Sequence, residues 1–289
     1  MFHPPKSPFL VPFDRSLRVA ELDTHPGKRD PGKKECKERL DRCVDELAEL
    51  QRKLYADDRH AVLLVFQAMD AAGKDSTIRS VMTGINPAGF QVSSFKKPSS
   101  KELDHDFLWR TALALPERGR IGVFNRSHYE EALVVRVHPE YLDGQRLPWR
   151  TPGEAFWQER FESIRAWEEH LARNGTVVVK FWLNVSKEEQ ARRLLDRLDE
   201  PHKRWKFEAG DVRERRFWDD YMGAYEELLN ETSRPHAPWY AIPADDKPFM
   251  RWCVAEIFLE VLRGLDLKSP ELESEELENE AELRKMLGG

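Results

Sequence analysis

The chain has 289 residues, 40% of them hydrophobic, a formal net charge of −6 and three cysteines. That length and apolar share are enough for one large or two small globular domains with a buried core. No apolar run approaches the roughly 18 residues of a membrane span, Cys36, Cys43 and Cys253 lack the spacing of a disulfide framework or zinc site, and the Pro-rich "MFHPPKSPFLVPFDRS" is unlike a signal peptide. A soluble protein of the reducing cytoplasm is expected. Much of the acidity lies in residues 266–289, with eight acids against three bases, so residues 1–265 are close to neutral.

Pro4, Pro5, Pro8, Pro12, Pro26 and Pro31 punctuate the start, and residues 1–32 are expected to form an extended arm rather than folded core. From Lys33 to Asp57, Leu40, Val44, Leu47, Leu50 and Leu54 recur every three or four residues, which predicts an amphipathic helix for packing or oligomer formation. "AVLLVF" then reads as a buried strand, followed by a loop and a helix to about Asn86. "FQVSSF" is a short strand, Leu103 to Leu115 a helix with Leu108, Ala112 and Leu115 on one face, and "IGVFN" a strand. A helix from Glu154 to Arg173, the strand "GTVVVKFWLNV", helices at Lys187–Leu198 and Val212–Asn230, the strand "PWYAIP" and a helix from Pro248 to Leu265 complete the series. Such alternation predicts an α/β fold, a parallel sheet flanked by helices, with the loop after the first strand at its carboxyl edge where ligands bind. The acidic tail, 266–289, carries Leu272, Leu277 and Leu283 among many glutamates; it reads as a short helix or a disordered segment without a catalytic role.

The loop, "QAMDAAGKDSTI", approximates a phosphate-binding loop, G-x-x-x-x-G-K-[ST], with Ala68 at the first glycine and Asp75 at the hydroxyl position. Ala71, Ala72 and Gly73 let the backbone approach an anion at a helix N-terminus, and Lys74 adds a point charge for phosphate oxygens. Asp75 replaces the usual magnesium-binding hydroxyl, although Ser76 and Thr77 follow. The metal task then falls to Asp70, because a carboxylate beside phosphates is favourable only with a divalent cation or a proton. A plain strand-to-helix turn with Asp70 as a cap explains an isolated Gly-Lys equally well.

Two further segments favour the phosphate reading. "IGVFN" runs into Asn125-Arg126-Ser127-His128-Tyr129-Glu130-Glu131; Asn125 stands where an aspartate faces the metal in phosphate-loop folds, and Arg126 offers a fork to phosphate oxygens. A surface salt bridge of Arg126 with Glu130 is the bland reading, and His128 reads as a packing residue. Arg192–Arg216 holds nine Lys or Arg against six acids and is interrupted by Pro201 and Gly210, a pattern of helix, turn and helix that suits a mobile cationic lid. The near-neutral domain and the single Trp205 argue against a nucleic-acid surface.

"QAMDAAGKDSTI", "FNRSHYEE" and "RLDEPHKRWKFEAGD" together resemble the three sequence blocks of the polyphosphate kinase 2 family, and the resemblance runs from about Leu40 to Leu265. It implies a three-layer P-loop kinase fold, thymidylate-kinase-like with a helical lid at about 192–216, in a phosphotransferase domain spanning 33–265. It further implies magnesium-dependent phosphoryl transfer, manganese being the substitute ion, between inorganic polyphosphate and adenine nucleotides, guanine nucleotides being the second candidates. Asp70 would orient metal and phosphates, Lys74 would bind the transferring region, Arg126 matches the second-motif arginine, and Arg193, Arg197, Lys203 and Lys206 fall in the basic lid. Trp205 and Asp211 match that lid as a packing residue and a cap. Asn125 in "FNRSHYE", with "GKDST", resembles the subgroup accepting nucleoside monophosphates as well as diphosphates. A homo-oligomer, dimer or tetramer, is expected, without nucleic-acid or membrane partners. The competing readings are an ATP-dependent nucleoside monophosphate kinase, which would normally keep a hydroxyl after Gly-Lys, and a non-catalytic nucleotide-binding protein.

Overall fold

A computed structural model of the chain describes residues 2–148, 153–270 and 280–287. Five strands, β1 Ala61–Gln67, β2 Phe90–Ser94, β3 Ile121–Asn125, β4 Thr176–Asn184 and β5 Trp239–Pro243, form one sheet in the order β2-β3-β1-β4-β5. Every pairing is parallel; Val62 lies beside Ile121 on one side and Val177 on the other. β1 is buried at all seven positions, which is why "AVLLVF" shows no alternation: both faces are covered.

The helices are α1 Lys33–Asp57, α2 Lys74–Val81, α3 Ser100–Leu103, α4 Trp109–Ala112, α5 Val134–Val137, α6 Glu154–Arg173, α7 Lys187–Asp199, α8 Ala209–Glu214, α9 Trp218–Thr232 and α10 Lys247–Arg263. α10 packs against α1 and α2, whereas α6 packs against β4 and α9. These two groups cover opposite faces, as right-handed crossovers from β1 toward β2 and from β3 toward β4 require. The predicted α/β architecture is therefore correct, with central β1 delivering its loop to the middle of the carboxyl edge.

Several elements depart from expectation. The helix expected over Leu103–Leu115 is two single turns, α3 and α4, because Asp104–Leu108 carries its own turn chemistry: Ser99 and Glu102 cap α3, and Asp106 accepts from the Leu108 amide. α2 stops at Val81 rather than near Asn86, before Gly84 in the left-handed region. Gly210 lies inside α8 instead of breaking a helix, and the chain passes through a 3-10 turn at Arg215–Phe217 before α9. α1 matches its predicted span, but its apolar stripe, including Cys36, Leu40, Leu47 and Leu54, is buried within the chain against α10. That stripe thus provides no separate oligomer surface.

The N-terminal arm is extended, yet it is not outside the core. Leu10 bridges Tyr240 antiparallel, the Val11 amide donates to Trp239 O at 2.9 Å, and the Ala241 amide donates to Phe9 O at 2.8 Å. Val11, Leu17 and Val19 are buried, so the arm closes the free edge of β5, which would otherwise present unpaired backbone. The three cysteines are free and buried. No helix among the described residues is long and apolar enough to cross a membrane. In the tail, Glu280–Met286 is helical, and residues 271–279, with Leu272 and Leu277, lie outside the described residues.

Candidate active site

Residues 68–73 turn from β1 into α2 and place their backbone at the carboxyl edge between β3 and β4. Gly73 adopts φ +111°, which an L side chain rarely reaches, and an added Cβ would lie 3.3 Å from Met250 Cε. Ala71 at φ +62° and Arg126 at φ +61° share the left-handed region without being glycine. Such backbone costs about 1–3 kcal/mol per residue and persists where the surroundings fix it, commonly at functional sites.

Lys74 is buried in the first turn of α2, and its Nζ donates to Ala68 O at 2.7 Å and Met69 O at 3.4 Å. Burial lowers its pKa, as does the nearby Arg126 charge, while the Asp70, Glu130 and Asp75 carboxylates oppose this. Arg126, at the end of β3, reaches across the edge and donates from Nη2 to Asp70 Oδ1 at 2.5 Å. Burial alone would depress its pKa, but the Glu130 and Asp70 carboxylates more than offset this and hold it above the usual arginine value. The bland alternative, a surface salt bridge of Arg126 with Glu130, is not what forms: Arg126 pairs with Asp70, and Glu130 acts at longer range.

Asn125 donates from Nδ2 to Asp75 Oδ1 at 2.7 Å, which links the residue that replaces the loop hydroxyl to the residue that replaces the second-strand aspartate. Ser76 Oγ and Thr77 Oγ1 both donate to Gly73 O, at 2.9 and 3.1 Å, and brace the first helical turn. The carbonyls of Ala71 and Ala72 accept from Arg193 Nη1 at 3.3 and 2.6 Å.

The lid cations divide into two kinds. Arg193 is only 4% exposed; besides those loop carbonyls, its Nη2 donates to Ala244 O and Asp245 O, and its Nε to Glu189 Oε1. It is a strut joining α7, the loop and the segment after β5, and not a surface lid residue. Arg197, Lys203 and Lys206 lie farther along the hairpin: Arg197 bonds Asp211 Oδ2 at 2.9 Å and Lys206 O at 3.1 Å, Lys203 pairs with Glu200, and Lys206 lies over Trp205. Among the described residues, none of these three bonds to the loop between β1 and α2. Trp205, expected to pack, is 78% exposed. Asp211 does not cap α8 but accepts from Arg197; burial, with Asp70 next, pushes its carboxyl up to about 6.

Sequence reasoning missed several groups here. Gln190 Nε2 donates to Asp70 O at 3.0 Å while its Oε1 accepts from Arg215 Nη1 at 2.6 Å, which ties the lid base to the loop. Tyr221 and Tyr225 on α9 lie within the field of Asp70 and Glu130. Their i, i+4 spacing marked one helix face, but nothing local showed that this face looks toward those carboxylates. His128, by contrast, is a buried packing residue as expected, between Tyr129 and Trp167.

The edge thus presents helix-terminal amides, a buried lysine, an arginine and one carboxylate held beside them, a set suited to a phosphate chain with a counter-ion. A sequence model described as polyphosphate kinase 2 matches residues 31–270. The chain belongs to the polyphosphate kinase 2 family. It is 54% identical over 266 residues to an ADP-polyphosphate phosphotransferase of Rhodopseudomonas palustris, covering 89% of this chain and 92% of that one. It is 48% identical over 228 residues to an AMP/ADP-polyphosphate phosphotransferase of Meiothermus ruber, covering 79% and 81%. Among solved structures, polyphosphate kinase 2 from Arthrobacter aurescens superposes with a TM-score of 0.86 at 37% identity, covering 93% of each chain. The sheet order and this polyphosphate kinase 2 structure together make the fold that of the P-loop kinases, as the three blocks implied.

Proposed function

We propose that this enzyme transfers phosphoryl groups from inorganic polyphosphate to nucleoside mono- and diphosphates, forming ATP from AMP and ADP. The observation that carries the reading is the convergence of Lys74, Arg126 and Asp70 on one glycine-containing loop in a chain of this family. Transfer needs no protein nucleophile, since a terminal phosphate oxygen of the acceptor attacks the end phosphorus of the chain in line. The P–O bond to the rest of the polyphosphate breaks as the new P–O bond forms, and the shortened chain leaves with the electron pair.

In this reading the amides around Gly73 and Lys74 hold the transferring phosphates, and Lys74 Nζ exchanges the Ala68 carbonyl for a phosphate oxygen. Arg126 contacts the equatorial oxygens with its unshared guanidinium nitrogens while Asp70 sets its orientation. Arg197, Lys203 and Lys206 supply successive charges to the polyphosphate as the lid closes, and Arg193 holds the loop against α7 so that closure is transmitted.

The donor set fits magnesium, or manganese in its place. No group of three or more His, Cys, Asp or Glu arranged to hold a metal occurs among the described residues, and magnesium normally takes one or two carboxylates, with phosphates and waters completing its shell. Asp70 supplies such a carboxylate. A bound ion would neutralise charge on the phosphates. The proposal includes a cytoplasmic homo-oligomer, acting on adenine nucleotides before guanine ones.

The test is a donor-by-acceptor assay with magnesium: AMP or ADP offered with either polyphosphate or ATP. Product with polyphosphate and not with ATP is expected; turnover only with ATP would make the chain a nucleoside monophosphate kinase. A second expected result concerns geometry. Arg126→Lys keeps the charge but loses the fork, and one lost charge-assisted bond of about 1.5–3 kcal/mol lowers kcat by roughly 10- to 150-fold. Steady-state rates within twofold of the parent would remove Arg126 from the transferring phosphate.

A further inference from the structure

The N-terminal arm does more than close β5. From Leu17 it follows α9 to the carboxyl edge of the sheet, held by the Leu17 amide donating to Asn230 Oδ1 at 3.0 Å and the Val19 amide donating to Glu226 Oε2 at 2.8 Å. It then crosses the ends of β4 and β5. Asn184 Nδ2 donates to Asp23 O at 3.3 Å, and the Asp245 amide donates to Thr24 O at 3.0 Å.

At Asp245 the arm meets the supports of the phosphate loop. The Asp245 side chain is 1% exposed, that of His25 is 74% exposed, and His25 Nε2 lies 3.1 Å from Asp245 Oδ2. This contact lacks hydrogen-bond geometry, and no other group bonds that oxygen, so among the described residues the arm's imidazole is the one ion-pair partner of a buried carboxylate. The other oxygen, Oδ1, accepts from the amide of Ser186, the N-cap of α7, at 2.8 Å. The Ala244 and Asp245 carbonyls accept from Arg193 Nη2. From α7 two side chains then reach the loop: Arg193 Nη1 donates to the Ala71 and Ala72 carbonyls, and Gln190 Nε2 donates to Asp70 O. Ala71 lies at φ +62°, which a residue other than glycine keeps only where its surroundings fix it. The fixing bonds come from α7, and Asp245 sets where α7 begins.

We propose that residues 23–25 of the arm position the phosphate loop for transfer, with Asp245 as the positioning residue through which they act. The path is a series of direct contacts: Thr24 and His25 to Asp245, Asp245 to Ser186 and Arg193, and Arg193 to the loop carbonyls. Neither His25 nor Asp245 touches the loop itself. Loss of the arm's contact leaves a buried carboxylate oxygen without any partner, a state relieved by moving Asp245 toward water. The Ser186 amide and the carbonyls that hold Arg193 move with it. Such a shift matters because a displacement of about 1 Å in the groups that align reactants lowers a rate by as much as about a hundredfold. The inference rests on the polyphosphate:nucleotide reading above, in which this loop holds the transferring phosphates.

The experiment compares the full chain with Asp245→Ala, Asp245→Asn, His25→Ala and the double variant His25→Ala with Asp245→Ala, reading polyphosphate-dependent ATP formation and amide hydrogen exchange in each. Asp245→Ala is expected to lower kcat about tenfold or more, with KM for ADP and for polyphosphate within about twofold of the parent. Exchange is expected to quicken at residues 70–74 and 186–190 while β1 stays protected. Asp245→Asn keeps an acceptor for the Ser186 amide and recovers part of kcat. His25→Ala lowers kcat roughly three- to fivefold, the scale of one exposed ion pair, and adds nothing to Asp245→Ala in the double variant because it acts through that residue. A folded Asp245→Ala protein with kcat within about twofold of the parent would overturn the positioning role. So would exchange that rises equally in the loop and in β1, which marks lost stability alone. Absence of polyphosphate-dependent turnover in the parent would overturn the function instead, and loop exchange would still decide whether the arm positions the loop. Should Asp245→Ala fail to fold, His25→Ala, altered at an exposed side chain, decides by the same two measurements.

Discussion

Lys74→Ala is expected to abolish polyphosphate-dependent ATP formation while leaving a folded protein. Lys74 Nζ is the buried cation of the loop, and it sits among Asp70, Glu130 and Asp75. Without it, the loop keeps its amides but faces incoming phosphates with a carboxylate excess. Loss of one preorganised donor to developing charge typically lowers kcat by about a hundred- to a thousand-fold, and here a full positive charge goes with it. The structural cost is smaller. Lys74 satisfies Ala68 O and Met69 O, so its removal leaves carbonyls at the mouth of an open loop and costs about 1–3 kcal/mol at most. Circular dichroism and a denaturant titration establish folding; a luciferase-coupled assay with AMP or ADP and polyphosphate reads the rate. A folded Lys74→Ala protein turning over normally would sink the assignment of this loop.

The largest stability effect is expected at Lys180, remote from the loop. Lys180 Nζ, on β4, donates to Glu168 Oε2 at 2.6 Å, Tyr129 OH at 2.8 Å and Thr232 O at 2.9 Å, and Tyr129 OH donates to Glu168 Oε1 at 2.7 Å. All are buried, and burial lowers the lysine to about 8 and raises the glutamate. The cluster ties β4, α6, the end of α9 and the segment that carries Arg126 into one unit. Lys180→Met leaves Glu168 buried without its cation, and breaking one half of such a pair costs about 3–5 kcal/mol. Replacing both, as Lys180→Met with Glu168→Leu, is expected to recover much of that loss, because two apolar side chains carry no desolvation penalty. Urea unfolding midpoints of the single and double variants check this. A single variant as stable as the parent would mean that the cluster is not an ion pair in solution.

Much of the fold was legible because local and global signals agree. The apolar run Ala61–Phe66, the 3.5-residue rhythm of Lys33–Asp57 and the small residues before Lys74 each specify one conformation through burial or sterics, and the elements appear where those signals lie. Leu103–Leu115 is not one helix because the helical spacing of Leu108, Ala112 and Leu115 competes with Asp106, which caps its own turn. The proline-rich arm joins the fold through hydrogen bonds to β5, more than 200 residues away, which no local pattern can reveal.

At the site, the residue types were readable and their partnerships were not. The sequence by itself determined the residue types of the proposed phosphate site: a strand, small residues, Gly73-Lys74, a second strand ending in Arg126 and a cationic hairpin. Only the tertiary structure decided that Arg126 pairs with Asp70, that Asn125 holds Asp75, and that Arg193 braces the loop from within. The physical reason is one of range. Helix termini, glycine turns and apolar periodicity are set by neighbours a few residues away, whereas each of these contacts joins segments 50 to 122 residues apart. Such contacts exist only after the parallel sheet has brought its strand ends to a common edge.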